Sequence, residues 1–534
     1  MRIPGTTNVS DTITPIMFML FPIGLMLLTA ITLIFLRFLR PHFKYPWVLA
    51  VGGATLALFG IFLWHIRLPI SISLAYWQPV SVFLISPSLL ADGYSWSYAV
   101  SLSALAAAVI WTSVVRDEND PASWAGILLI TALGILAVIA GNFLTIVLVW
   151  SAIDLAELFT MLRSTEGEEH LQGVVIAFST RAIGTWLIIW AAFMGAEGGT
   201  IPDFMSIPRS AGVYLLIAVG LRLGVLPLHL PYLKENVLRR GFGTTLRLVS
   251  AAASLSLLAR IPPNTLSTSL SPLLLFLVAI PALYSGWMWL RASDEILGRP
   301  FWVLGLASLS VYSSLRGNPA GSVGWGVILI LAGGSLFLFS ARQRSILWLP
   351  LLNLWGMSTL PYSITSSAWS TGNQSPWLSV IFILPAQALL MTGFVRHTLH
   401  PGETSLESEE RWTKYLYPIG LFLLAGIALL FGFWGWEGAG SLGQLWPAIT
   451  VTILTAVLIS LALTILPRLK STTTPSQWTR IFRIKWLYKT ISMGYDFFCR
   501  IADIFTSTLE GEGGLIWSLL LLALILSVLS SRGL

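Results

Sequence analysis

Runs of about 20 apolar residues recur along nearly the whole chain, each long enough to cross a bilayer as one helix. Taking that length as one crossing, the sequence predicts sixteen spans, near 15–36, 47–64, 94–113, 123–141, 143–162, 172–194, 212–230, 245–261, 271–290, 302–315, 321–341, 345–363, 377–395, 415–434, 446–466 and 514–530. Lipid offers no partner to an open backbone, so repeated apolar runs of this length fold as helices. The chain is 55% hydrophobic and only 10% charged over 534 residues, too few polar side chains to cover a soluble globule of that size. The fold class is therefore an all-α polytopic membrane protein, with the lipid bilayer as its first partner. The first span ends in basic rather than small residues and is expected to be retained, not cleaved as a signal.

Charge between the runs tests this map. With the N-terminus outside, the inside loops hold 22 of the 31 Lys and Arg, among them Arg37, Arg40, Lys44, Lys234, Arg239, Arg240, Arg291, Arg299, Arg342 and Arg344. The outside segments hold Arg2, Arg67, Arg209, Arg316 and Arg532, while Arg181, Arg222, Arg247 and Arg260 lie in spans or at their ends. The asymmetry supports an even span count with both termini on the non-cytoplasmic side of a prokaryotic inner membrane. It also accounts for the net charge of +7 without nucleic acid, since no basic cluster interleaves with aromatics in a soluble region. One cysteine, Cys499, excludes a cysteine-ligated cluster or an internal disulfide framework, and no cofactor or metal is expected.

Within this frame one stretch stands out. Val213–Glu235 places Arg222, Pro227, His229 and Pro231 inside membrane-grade sequence. A buried charge and a helix-breaking proline are tolerated there where they face protein or a wet cavity. The fifth span supplies acids, Asp154 and Glu157, three residues apart and so on one helical face, with Glu157 nearer the inside end, where it can reach solvent. Arg181 in the sixth span competes with Arg222 for these acids. An acid and a base on separate spans are what an ion path requires, but arginine does not release its proton and can only hold a carboxylate. Histidine as a residue type can change charge near neutral pH, which makes His229 a candidate relay, although a hydrogen-bonded histidine at a helix end is the commoner case.

Later in the chain, Gly317–Ala341 and Ser345–Val395 contain no Asp, Glu, Lys, Arg or His, apart from the basic residues between them, yet Leu360-Pro361 breaks an apolar run as Leu226-Pro227 does earlier. Paired breaks point to two broken-helix repeats. Leu68–Leu90 alternates apolar and small polar residues around three prolines and reads as an extended external hairpin. Residues 477–506 have apolar positions at helical spacing with basic residues between, an amphipathic helix in the membrane interface.

The run Arg222-Leu-Gly-Val-Leu-Pro-Leu-His resembles the broken seventh span of the antiporter-like subunits of respiratory complex I, membrane-bound hydrogenases and Mrp cation/proton antiporters, which typically read Lys-Ser-Ala-x-x-Pro-x-His there. Asn142–Trp150 resembles that family's fifth span, Asp92-Gly93 the opening of its third, Arg247–Arg260 its eighth, Gly333-Gly334-Ser335 its eleventh and Leu360-Pro361 its twelfth. Sixteen spans with an amphipathic helix before the last resemble the largest, lateral-helix type. The resemblance implies N-terminal helices with the hairpin at 1–114, antiporter-like repeats at 115–264 and 265–398, C-terminal helices at 399–470, and the interfacial helix with the last span at 471–534. It implies partner membrane subunits and a part in proton or cation translocation, any redox chemistry belonging to the assembly. The family's fifth-span glutamate falls on Ser151, with Asp154 one turn along, and its seventh-span lysine on Arg222. Its eighth- and eleventh-span lysines fall on Ala252 and Gly326, and its twelfth-span charge near Trp369, where the sequence has none. The ion-translocation candidates are Asp154, Arg222, His229, Glu157 and Arg181, with Pro227 and Pro361 as helix breaks. The alternative is a structural subunit whose charges form a closed set.

Overall fold

A computed structural model of the chain describes residues 9–40, 43, 45–74, 85–116, 120–164, 168–196, 203–204, 207–230, 238, 240–262, 270–370, 377–402, 406, 410–465 and 493. The protein is built of helices: α1 (Val9–Leu39), α2 (Pro46–Leu63), α3 (Gly93–Thr112), α4 (Pro121–Val138), α5 (Phe143–Ser164), α6 (Glu168–Gly195), α7 (Arg209–Leu223), α8 (Arg240–Leu255), α9 (Ser271–Arg291), α10 (Glu295–Leu315), α11 (Pro319–Phe337), α12 (Trp348–Leu351), α13 (Asn353–Met357), α14 (Trp377–Thr398), α15 (Arg411–Phe433) and α16 (Leu445–Ile465). Two short strands, β1 (Ile70–Ser73) and β2 (Ser88–Ala91), pair antiparallel with Ile70 opposite Ala91.

Eleven helices among the described residues are long and apolar enough to cross a membrane, against the sixteen spans expected. The other five differ for separate reasons. α7 stops after 15 residues, and α10 carries Glu295 and Arg299 in its first turns. The twelfth expected span is divided between the short α12 and α13. α16 (Leu445–Ile465) contributes a shorter apolar stretch, Leu445–Leu461, among the residues whose side chains are described. The last span, like the interfacial helix at 477–506 (Met493 excepted), falls outside the described residues.

α3, α8 and α11 are the most deeply buried helices, and α11 is enclosed along its whole length. Their sequences explain this. α3 carries Ser97, Ser101, Ser103 and a run of alanines, α8 Ser250 to Ser254 with three alanines, and α11 five glycines. Small residues let helix backbones approach closely where no hydrophobic force separates helix from lipid. The serine hydroxyls turn back on their own helix, Ser101 to the Ser97 carbonyl at 2.7 Å and Ser254 to that of Ser250 at 3.2 Å. Around this centre α6 packs on α7, α5 on α6, and α9 on α10 and α14.

Both expected breaks occur, each with its own chemistry. α7 ends at Leu223, one turn before Pro227, because Gly224 adopts the left-handed conformation with φ 76°. The Val225 and Leu226 amides then fold back onto the Gly220 carbonyl at 2.8 and 3.1 Å. Near Pro361 the chain leaves α13 at Met357, and Thr359 and Tyr362 hold φ of 58° and 61°. Side chains fix this irregular segment: Thr365 Oγ1 donates to the Gly356 carbonyl at 2.7 Å and accepts from the Thr359 amide at 3.2 Å.

Candidate functional site: a buried arginine–carboxylate cluster

α5 starts behind Asn142, whose Oδ1 accepts from the Thr145 amide at 3.0 Å and caps the helix. Three turns on, its register brings Asp154 and Glu157 to the face that meets α6, α7 and α8. Arg222, in the last turn of α7, reaches Asp154 with both arms, Nη1 to Oδ2 at 2.7 Å and Nη2 to Oδ1 at 2.8 Å. The same guanidinium donates to the Arg181 carbonyl and Thr185 Oγ1, both at 3.1 Å, and through Nε to Ser254 Oγ at 3.3 Å. Its Cζ lies 4.1 Å from the centre of the Trp150 ring. The side chain has room to cross α6 because residue 184 is glycine; a Cβ there would lie 2.5 Å from Arg222 Cγ.

Glu157 completes the cluster. It pairs with Arg181 through one oxygen and with Arg247 of α8 through the other, while Arg181 Nε also stands 3.7 Å from Asp154. The competition foreseen for one acid is thus divided: Arg222 takes Asp154, and Arg181 bridges both acids. Glu157 does not reach solvent as expected; it is 1% exposed, because α8 brings Arg247 across its open side. Sequence reading passed over Arg247 as a span-end residue. The signal that pointed to it was present, an arginine in a run otherwise of Thr, Leu, Val, Ser and Ala.

Two carboxylates thus meet three guanidiniums. Isolated charges at this depth would be expensive, and mutual pairing with added hydrogen bonds offsets the desolvation. Among the described residues no lysine is buried; the buried bases are Arg181, Arg222, Arg240, Arg247, Arg299, Arg316, His229 and His397. A proton on guanidinium is not released, and Asp154 has both oxygens engaged by Arg222. The cluster can hold charge, orient helices and shape a field.

His229 stands outside the cluster. Its Nδ1 lies 2.8 Å from the Pro227 carbonyl, an acceptor only, so Nδ1 carries the proton and Nε2 is left as a buried lone pair without a hydrogen-bond partner.

Other charges counted as loop residues from sequence are buried too. Glu295, at the start of α10, receives Arg240 Nη1 at 2.9 Å and Arg342 Nη2 at 2.6 Å. Arg299 donates to Thr244 Oγ1 at 3.0 Å. Asp92, which is only half-buried, caps α3 by accepting from the Ser95 amide at 2.9 Å and is gripped by both arms of Arg260.

In the second half, Tyr98 of α3 fills the place a side chain on residue 326 would need: its Oη is 1.8 Å from where a Cβ would sit. Trp369 is not without charge as expected. Arg316, at the end of α10, places its Cζ 5.1 Å from the Trp369 ring and donates to the Ala368 carbonyl at 3.1 Å.

No family model and no curated protein matches the sequence. The fold, however, is similar to solved membrane chains. A chain of the Mrp complex from Dietzia sp. DQ12-45-1b superposes with TM-score 0.69 at 14% identity, covering 98% of this chain and 63% of that one. A chain of the membrane-bound sulfane sulfur reductase, an archaeal respiratory membrane complex, gives 0.62 at 13% identity over 95% of this chain and 100% of that one. A chain of respiratory complex I from Thermus thermophilus gives 0.56 at 15% identity over 84% and 99%. This chain therefore has the fold of membrane chains in these three kinds of assembly, and it spans about 63% of the length of the Mrp chain.

Proposed function

We propose that this integral membrane protein is an antiporter-type subunit of a multi-subunit assembly of the Mrp, sulfane sulfur reductase or complex I class. The assembly moves protons or cations, and this chain contributes a fixed charge cluster. The fold likeness supports the class of assembly, and the motif order supports two repeats, at 115–264 and 265–398. The loop charges support both termini on the non-cytoplasmic side of a prokaryotic inner membrane, despite the burial of Arg240, Arg299 and Arg342.

One observation carries the assignment of a fixed cluster: Asp154 is held through both oxygens by Arg222, in an interior whose buried bases, among the described residues, include no lysine. Arginine does not release its proton, and Arg222 engages both oxygens of Asp154, so the pair is built to hold charge and not to pass it on. The role of the cluster is to lock α5, α6, α7 and α8 together and to present a constant net positive charge to neighbouring subunits.

A second reading, conduction through the first half, is favoured by His229, whose unpartnered Nε2 lies just past the end of α7. Proteoliposomes holding the purified assembly separate the two. With Asp154→Asn and Arg222→Ala, a fixed cluster predicts lower assembly yield and unchanged ion flux per assembled complex. Flux lost from fully assembled complexes carrying either variant, or His229→Gln, would establish conduction through this chain.

A further inference from the structure

Outside the cluster, one buried arginine, at the end of α10, has no carboxylate among the described residues. Arg316 is 6% exposed, and among the described residues its side chain makes one hydrogen bond, from Nη1 to the Ala368 carbonyl at 3.1 Å. Its Nε is buried without a partner. The ring beside it, Trp369, is equally buried and its Nε1–H also lacks a partner. The Ser367 hydroxyl, two residues before Trp369, is a third buried group with none.

These groups are held in place. Asn318 Nδ2 donates to the Ser367 carbonyl at 2.7 Å and, with longer bonds, to the Ala368 carbonyl and Ser370 Oγ at 3.3 Å. The Gln444 amide donates to the Trp369 carbonyl at 3.0 Å, and the Tyr312 ring lies against Trp369. The turn from Ser366 to Trp369 is thereby clamped against the end of α10.

The Ala368 carbonyl and the negative end of α10 offset part of the Arg316 charge. Neither satisfies Arg316 Nε–H or the indole N–H. Unmet buried donors are destabilising, and an unpaired buried cation more so. A single acceptor carrying negative charge would meet both donors and the charge together. A water could accept both bonds but would leave the charge uncompensated.

We propose that the end of α10 and the Ser366–Trp369 turn form a binding site for a small monovalent anion, with Arg316 supplying charge and one donor, Trp369 Nε1–H a second and Ser367 Oγ–H a third. The site is separate from the Asp154 cluster and stands whether or not this chain conducts. The burial of all three residues favours a diffusible ion over a side chain of a neighbouring subunit.

The test uses the purified assembly containing the full chain, with chloride replaced stepwise by gluconate, a bulky anion, at fixed ionic strength. The thermal midpoint of wild type should rise by a few degrees with chloride, as a ligand that binds only the folded state requires. Arg316→Met should abolish the rise. Trp369→Phe, which keeps the ring and removes the N–H, should weaken chloride binding several-fold, and bromide should give anomalous scattering beside Arg316 Nε and Trp369 Nε1. A midpoint indifferent to chloride in wild type, or a rise unchanged in Arg316→Met, overturns the proposal. So does a partner subunit's carboxylate found seated on Arg316 in the assembly.

Discussion

Arg222 and Asp154, 68 residues apart, meet through two parallel hydrogen bonds of 2.7 and 2.8 Å, with the Trp150 ring beneath the guanidinium. This planar match is available to arginine and not to lysine, whose ammonium is a point charge. An ion pair of this geometry, capped on its remaining donors by Thr185, Ser254 and the Arg181 carbonyl, is built to stay closed.

Opening it from one side should therefore be costly. Arg222→Met leaves Asp154, among the described residues, with Arg181 as its one basic neighbour, at 3.7 Å, and should destabilise by about 3–5 kcal/mol, the range for breaking a buried pair. Arg222→Lys should lose less, but still more than about 1 kcal/mol because the second hydrogen bond and the ring contact go. The double variant Asp154→Leu with Arg222→Met should recover most of the loss. Unfolding in detergent, run as a double-mutant cycle, measures the coupling.

Tyr98 and Gly326 make a second exclusive pair. Gly326→Ala drives a methyl group into the phenol, with Oη 1.8 Å and Cζ 2.6 Å away, and should destabilise the fold or prevent assembly. Removing the ring as well, in Tyr98→Ala with Gly326→Ala, should restore part of the yield. Tyr98→Phe alone should be neutral or stabilising, since the buried hydroxyl has no hydrogen-bond partner to lose. Thermal midpoints of the purified variants check all three outcomes.

Asp92 gives a pH-dependent prediction. Burial raises the pKa of its carboxyl, but the Arg260 charge, with hydrogen bonds from Arg260 and Ser95, outweighs this and holds it below the ordinary aspartate value. A depressed folded-state pKa contributes stability that is present above the unfolded value and lost as pH falls toward the folded one. Titrating the thermal midpoint downward through about pH 5 to 3, the ordinary carboxylate range, should show a wild-type decline that is shallower in Asp92→Asn. Asparagine still caps α3, so helix loss does not confuse the comparison.

The break after α13 stores conformational strain. Thr359 is β-branched and sits at φ 58°, a region costing roughly 1–2 kcal/mol for residues with a Cβ. Thr359→Gly should raise stability by about 1 kcal/mol while the Thr365 hydroxyl still meets the backbone amide of residue 359. A fall in the midpoint would show that the threonine side chain, whose Oγ1 donates to the Ser358 carbonyl, contributes more than its backbone costs.

Much of this protein was written locally. Apolar runs of bilayer length specify membrane helices wherever they occur, since lipid leaves the backbone no other way to satisfy itself. The i, i+3 spacing of Asp154 and Glu157 put them on one face, and the cost of burying charge marked Arg181 and Arg222 as interior residues in need of an acid. Tertiary structure decided which acid each arginine took, because partner choice depends on how four helices cross and not on any one helix. It brought Arg247 over Glu157 and gathered Arg240 and Arg342 around Glu295, making buried partners of residues that sequence assigned to a span end or to loops. It also set Tyr98 in the space beside Gly326 and Arg316 against Trp369. A glycine records that space is left beside a helix, but what fills the space comes from a helix more than two hundred residues away, and only packing places it there.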